Sequence, residues 1–124
     1  LLEWMQRTQA DYTNTLRDLD PESVPTNADA EFRDWHARWV SRLSRQPQTH
    51  GEAVQLLRRH NPAIIPRNHK VEEALDAAVE RGDYGPLKRL LAAISKPYDE
   101  TTANADFLLP PPVGGSEYRT FCGT

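Results

Sequence analysis

The 124-residue sequence has one cysteine, Cys122, and one methionine, Met5. A lone cysteine excludes an intrachain disulfide and a cysteine-based zinc cluster, so packing alone must hold the fold. Long hydrophobic runs are missing too. None approaches the roughly 18 residues that cross a bilayer, and no charged-then-apolar leader precedes Met5, so a soluble chain with no membrane partner is expected. Glycine is sparse, with six in all and none before Gly51. A phosphate-cradling loop needs glycines just ahead of a helix, and Gly114-Gly115 precede none, which excludes a nucleotide loop. A basic excess is missing as well: 18 acidic residues face 15 basic ones, for a net charge of −3 and a pI near 5.8. Nucleic-acid affinity rests mainly on phosphate neutralisation, so no nucleic-acid partner is expected. HExxH, GxSxG and the kinase HRD and DFG elements are absent, and autonomous catalysis is not expected.

Of what is present, proline and glycine divide the chain most sharply. The length suits one domain, with no room for a catalytic domain beside it, and a first residue Leu1 with the sole Met internal suggests a segment of a longer chain. Positions 1–20 hold neither Pro nor Gly, and Leu1, Met5, Tyr12, Leu16 and Leu19 recur at helical spacing, which predicts one first helix with Arg7, Asp11 and Arg17 on its surface. After Pro25, Asn27 or Asp29 can cap a helix carrying Phe32, Trp35, Trp39 and Leu43. Two tryptophans one turn apart can stack a ligand or pack a core; their spacing with Phe32 and Leu43 favours the core.

Thr49 and Glu52 form a capping-box signature for a third helix that stops near Asn61, before Pro62. Val71, Ala74, Leu75, Ala78 and Val79 give an apolar stripe closed by Arg81 and a left-handed Gly82. Asp83 caps a fifth helix bearing Leu87, Leu90, Leu91 and Ile94, and the short link predicts an αα-hairpin. From Lys96 onward Pro97, Pro110 to Pro112 and Gly114-Gly115 prevent a regular helix. The expected fold is all-α: about five helices in a small orthogonal or antiparallel bundle over 1–95, followed by an extended proline-rich tail over 96–124. Tyr98, Phe107, Leu108, Leu109, Tyr118 and Phe121 are the tail's candidate anchors.

The candidates for chemistry are few. His50, His60 and His69 share no i, i+4 face, which disfavours metal ligation. His60 is expected to meet the last carbonyls of its helix, and His36 to sit as a hydrogen-bonded ring beside the tryptophans. Arg58, Arg59, Arg67 and Lys70 suggest a basic patch around Asn61-Pro62, either for docking phosphate or an acidic domain surface or, offset by Glu72, Glu73, Asp76 and Glu80, as ordinary solvated surface. Cys122, third from the end, is either incidental or a redox-active thiol whose partner lies outside this chain.

The stretch Asn61-Pro62-Ala63-Ile64-Ile65-Pro66-Arg67-Asn68-His69, then Glu73-Ala74, Ala77-Ala78, Gly82-Asp83 and Lys96-Pro97-Tyr98, resembles the C-terminal region of the selenoprotein O (SelO, YdiU) family, and Asp11-Tyr12-Thr13-Asn14 is similar to a motif upstream in that region. The resemblance implies a pseudokinase-like enzyme that transfers AMP from ATP, with Mg²⁺ or Mn²⁺, to Ser, Thr or Tyr hydroxyls of acceptor proteins. The family's catalytic, nucleotide-binding and metal-binding residues lie upstream, so no such role carries over to a residue here. Cys122 stands where members carry selenocysteine or cysteine near the end, which implies a regulatory disulfide with the kinase-like domain. The implied partners are that upstream domain of the same protein and the AMP acceptors. The implied location is the cytoplasm for a bacterial-type member and the mitochondrion for a eukaryotic one. The alternative is a stand-alone helical module for protein interaction.

Overall fold

A computed structural model describes residues 1–26 and 28–112. The described residues form helices α1 (Leu2–Thr8), α2 (Tyr12–Arg17), α3 (Ala30–Leu43), α4 (His50–His60), α5 (Asn68–Arg81) and α6 (Gly85–Ile94), then a 3-10 helix (Thr102–Phe107). No strand occurs among them; only an isolated bridge joins Asp20 and Ser23. No helix among the described residues is long and apolar enough to cross a membrane. The all-α expectation therefore holds. The chain gathers into two compact units, one of Leu1–Ala63 and one beginning at Ile64.

In the first unit the single opening helix predicted from spacing is two helices. Gln9 closes α1 in the left-handed region, with φ of 55°, and Ala10 N–H donates to Met5 O at 3.0 Å. Asp11 then caps α2 by accepting from Asn14 N–H at 2.9 Å. A short carboxylate that takes an amide at its own helix start competes with a continuous ladder, and here it ends one helix and starts the next. The break changes the register, so Met5 is buried whereas Tyr12, expected on the same face, is exposed.

The core of this unit is Leu19, Ala28 and Phe32, against which Leu1, Trp4, Leu16, Trp35, Trp39 and Leu57 pack. Phe32 lies at its centre, with ring centroids 4.8 Å from Trp4 and 5.7 Å from Trp35. Trp35 and Trp39 stack nearly parallel, 5.8 Å apart, and are half-buried against the core, as their spacing with Phe32 predicts. Asp29 is the cap of α3, accepting from Phe32 N–H at 2.9 Å; Asn27, the other candidate, lies outside the described residues. Thr49 and Glu52 form the expected reciprocal capping box, and α4 ends at Asn61.

The second unit is built on the α5–α6 hairpin, linked by Gly82, Asp83 and Tyr84. Gly82 adopts φ of 63° and closes α5, and Asp83 accepts from Gly85 N–H at 2.8 Å in the link. The apolar stripe read on α5 requires correction. Its buried residues are Ala74 and Ala77, whereas Leu75 and Val79 are exposed. Small residues let helices approach closely, so alanines take the inner line and the longer side chains fall outside it.

Residues 102–107, expected without regular structure, wind into the 3-10 helix, whose i, i+3 bonds suit a short piece between prolines. It packs on α6 through Phe107, which is buried beneath the Arg89 guanidinium at 5.5 Å, while Arg89 also pairs with Asp106 at 3.1 Å. Of the other tail anchors, Leu108 is half-buried and Leu109 and Tyr98 are exposed; Tyr118 and Phe121 lie outside the described residues.

Candidate functional site

The first unit contains a cleft of about 320 Å³ between α1, α2 and the start of α3. Its apolar lining comes from Trp4, Leu19, Ala28 and Phe32, and its polar lining from Asp11, Asn14, Thr15, Asp18, Asp20, Ser23 and His36. The lining carries three aspartates and neither lysine nor arginine. Such a wall repels a triphosphate, and among the described residues no group of three His, Cys, Asp or Glu could hold a metal ion. This cleft therefore does not fit a triphosphate.

His36 is buried, and its Nε2 lies 2.7 Å from Asp20 O. A carbonyl can only accept, so Nε2 carries the proton and donates it to that bond. The ring is also wedged against Phe32 and Trp39, with centroids at 6.2 and 5.4 Å. These contacts tie the Asp20 turn to α3, in keeping with the reading of His36 as a hydrogen-bonded ring beside the tryptophans.

Asp29, the cap of α3, ties that helix to α1. Its Oδ1 accepts from Phe32 N–H and from Trp4 Nε1 at 3.0 Å, and its Oδ2 accepts from Arg7 at 3.0 Å. Arg7 also pairs with Glu31. The Phe32 amide, then Arg7, then the Trp4 indole hold the Asp29 carboxyl below its ordinary value. Arg17 of α2 is buried, not on the surface where its helical position alone put it. Its Nη1 donates to Arg58 O at 2.8 Å and Asn61 O at 2.7 Å, so one guanidinium closes the C-terminal end of α4. The spacing of α2 gives no sign of this, because the acceptors lie more than forty positions along the chain.

The remaining candidates sort as follows. His60 Nδ1 lies 2.8 Å from Leu56 O, the carbonyl contact expected of it, and His50 faces Glu22 at 3.3 Å. Arg58 and Arg59 are exposed, but Arg67 is buried and donates to Leu108 O at 3.2 Å, and Lys70 is paired with Glu73 at 3.0 Å. The four-residue basic patch is thus not a set of free surface cations. Two of the sequence blocks quoted above meet in the second unit: Ile64 N–H donates to Pro97 O at 3.0 Å, and Ile64 is almost wholly buried. Cys122 lies outside the described residues.

These features define a class first: an all-α segment whose buried polar side chains are engaged in closing its own helix ends and turns. Residues 1–95 match the family model described as protein adenylyltransferase SelO, and the chain belongs to that family. It is 50% identical to the protein nucleotidyltransferase YdiU of Syntrophotalea carbinolica, and 46% identical to proteins of the same name from Bacillus mycoides and Alkaliphilus metalliredigens. Each match covers 100% of this chain and 26% of the relative, so the chain spans about a quarter of the length of these curated relatives.

Proposed function

We propose that this chain is the C-terminal helical region of a SelO-type protein adenylyltransferase, which transfers AMP from ATP to Ser, Thr or Tyr hydroxyls of proteins. The observation that carries the reading is the full-length match to nucleotidyltransferases about four times as long, together with a cleft whose polar wall is acidic. On this reading ATP and Mg²⁺ or Mn²⁺ are held by the kinase-like part of the parent protein, and this segment supports that part. Incubating the isolated chain with ATP, either metal and an acceptor protein should leave no AMP adduct, whereas the parent should label the same acceptor. Labelling by the isolated chain at the parent's level would overturn the assignment.

The family resemblance also supports a redox role for Cys122. Its thiol and a second thiol of the kinase-like domain would be oxidised together by a peroxide: two S–H bonds break, one S–S bond forms, and the peroxide leaves as two waters. In a cytoplasmic location, which the resemblance implies for a bacterial member, both thiols rest reduced until an oxidant arrives. A second reading, a stand-alone interaction module, draws on the exposed side chains of α5 and α6. A reading frame that continues well upstream of Leu1 decides for the first, and a start codon immediately before Leu1 decides for the second.

A further inference from the structure

The α5–α6 hairpin has two unlike sides. On one, the 3-10 helix covers the groove, and the pockets beside Phe107 are lined by Lys70 and Glu73 of α5 and by Pro86, Arg89 and Ala93 of α6. At 100° per residue, Leu75 and Val79 fall across α5 from Lys70 and Glu73, and Leu91 falls across α6 from Pro86, Arg89 and Ala93. In an antiparallel pair these two outer stripes emerge on the same side. They are open: Leu75 is 49% exposed, Val79 83% and Leu91 53%. Leu87 and Ile94, half-buried, extend the stripe on α6.

Next to this apolar stripe, Glu72, Asp76 and Glu80 stand at i, i+4 and i+8 along α5. Like charges at that spacing weaken a helix, and although Arg81 lies 3.8 Å from Glu80, basic groups facing Glu72 and Asp76 would offset the rest of the row. An apolar centre with charged residues along its border, acidic on the α5 side, is the pattern of a docking face. The length of chain that lies beyond this segment in its relatives, about three-quarters of each, supplies the occupant.

We propose that the Leu75, Val79 and Leu91 face of the hairpin docks on the rest of the parent protein, against an apolar patch bordered by lysine or arginine that meets Glu72, Asp76 and Glu80. The proposal rests on the reading of the chain as one segment of a larger adenylyltransferase.

The test places single cysteines in the parent protein, Leu75→Cys and Leu91→Cys, with Glu100→Cys as an exposed reference away from the face, all with Cys122→Ser. Site-resolved maleimide labelling should be slower at positions 75 and 91 than at 100 by at least about tenfold, since a buried thiol reacts only when the docked face opens. Adding Asp76→Lys and Glu80→Lys should restore fast labelling at position 75. Equal rates at all three sites overturn the proposal. Protection that disappears on dilution overturns it in favour of a second copy, and protection lost when the parent is truncated after Pro112 overturns it in favour of the chain's own terminus. AMP transfer by the same preparations separates the two claims: a protected face without transfer upholds docking and removes the enzymatic reading, and transfer with an open face does the reverse.

Discussion

Two charged side chains carry much of the first unit's internal order, and they act in opposite ways. Arg17 is buried and gives two charge-assisted hydrogen bonds to the carbonyls of Arg58 and Asn61. Arg17→Met keeps the aliphatic stem but leaves those carbonyls without their donor, and it should lower stability by about 2–3 kcal/mol, read as an earlier urea midpoint by circular dichroism. Arg17→Lys should recover only part of the loss, because its stem is shorter and does not bring the ammonium to the place from which Nη1 reaches both carbonyls. A midpoint unmoved by Arg17→Met would remove Arg17 as the closure of α4. Asp29, by contrast, sits at the surface and acts through ionisation. Its folded carboxyl is held below the ordinary value by the Phe32 amide first, then Arg7 and Trp4, and Glu52 is held low by the Thr49 amide and hydroxyl. A depressed folded value means the stabilisation is complete above the unfolded value, near 4, and is lost as pH falls through the folded one. Melting temperature should therefore drop on acidification below about pH 4, and Asp29→Asn, which keeps a good cap, should make that drop shallower. An identical acid limb in the two proteins would show that Asp29 does not contribute.

At the scale of helices, local chemistry decides where elements stop, and tertiary approach decides which face they bury. The Thr49-Glu52 box, the Asp29 cap, the Asn61-Pro62 stop and Gly82 are all legible in the sequence because each is settled within a few residues. The break at Gln9 is not, since a glutamine in the left-handed region follows no composition rule. Nor is the inner line of α5, where Ala74 and Ala77 are buried and Leu75 and Val79 are not, because spacing alone cannot tell a tight alanine contact from a broad leucine one. Arg17 escapes for a third reason, that its acceptors lie in a distant helix. The two left-handed positions give a paired prediction. Gly82 has open space for a Cβ, so in Gly82→Ala only the positive φ opposes the methyl, and a loss of about 1 kcal/mol is expected. Gln9→Gly relieves the same strain and should gain up to about 1 kcal/mol, offset in part by the lost bond from its side chain to Gln6 O. Melts of the two variants that shift in the same direction would show that backbone conformation is not what governs these turns.

The whole chain resolves into two tasks of different legibility. Membership of the SelO family could be read from contiguous blocks such as Asn61 to His69, and the structure gives part of those blocks a physical role, with Arg67 buried and Ile64 bonded to Pro97. The candidate site was less legible, because the acidic cleft draws on residues from Trp4 to His36 that no short motif contains. The redox role proposed above falls on one residue of this chain, Cys122. If its thiol closes a disulfide with the kinase-like domain, the link joins distant positions and must change the hydrodynamic size of the unfolded parent. Peroxide-treated parent protein should then run faster on a non-reducing denaturing gel, and reductant should reverse the shift. Cys122→Ser should abolish it while leaving AMP transfer by the reduced enzyme unchanged, since the residue is proposed to regulate rather than to touch the nucleotide. Mapping the cross-linked peptide by mass spectrometry identifies the second cysteine, whose replacement should abolish the same shift. A shift that persists in Cys122→Ser would assign the disulfide to other cysteines of the parent and leave Cys122 without a redox role.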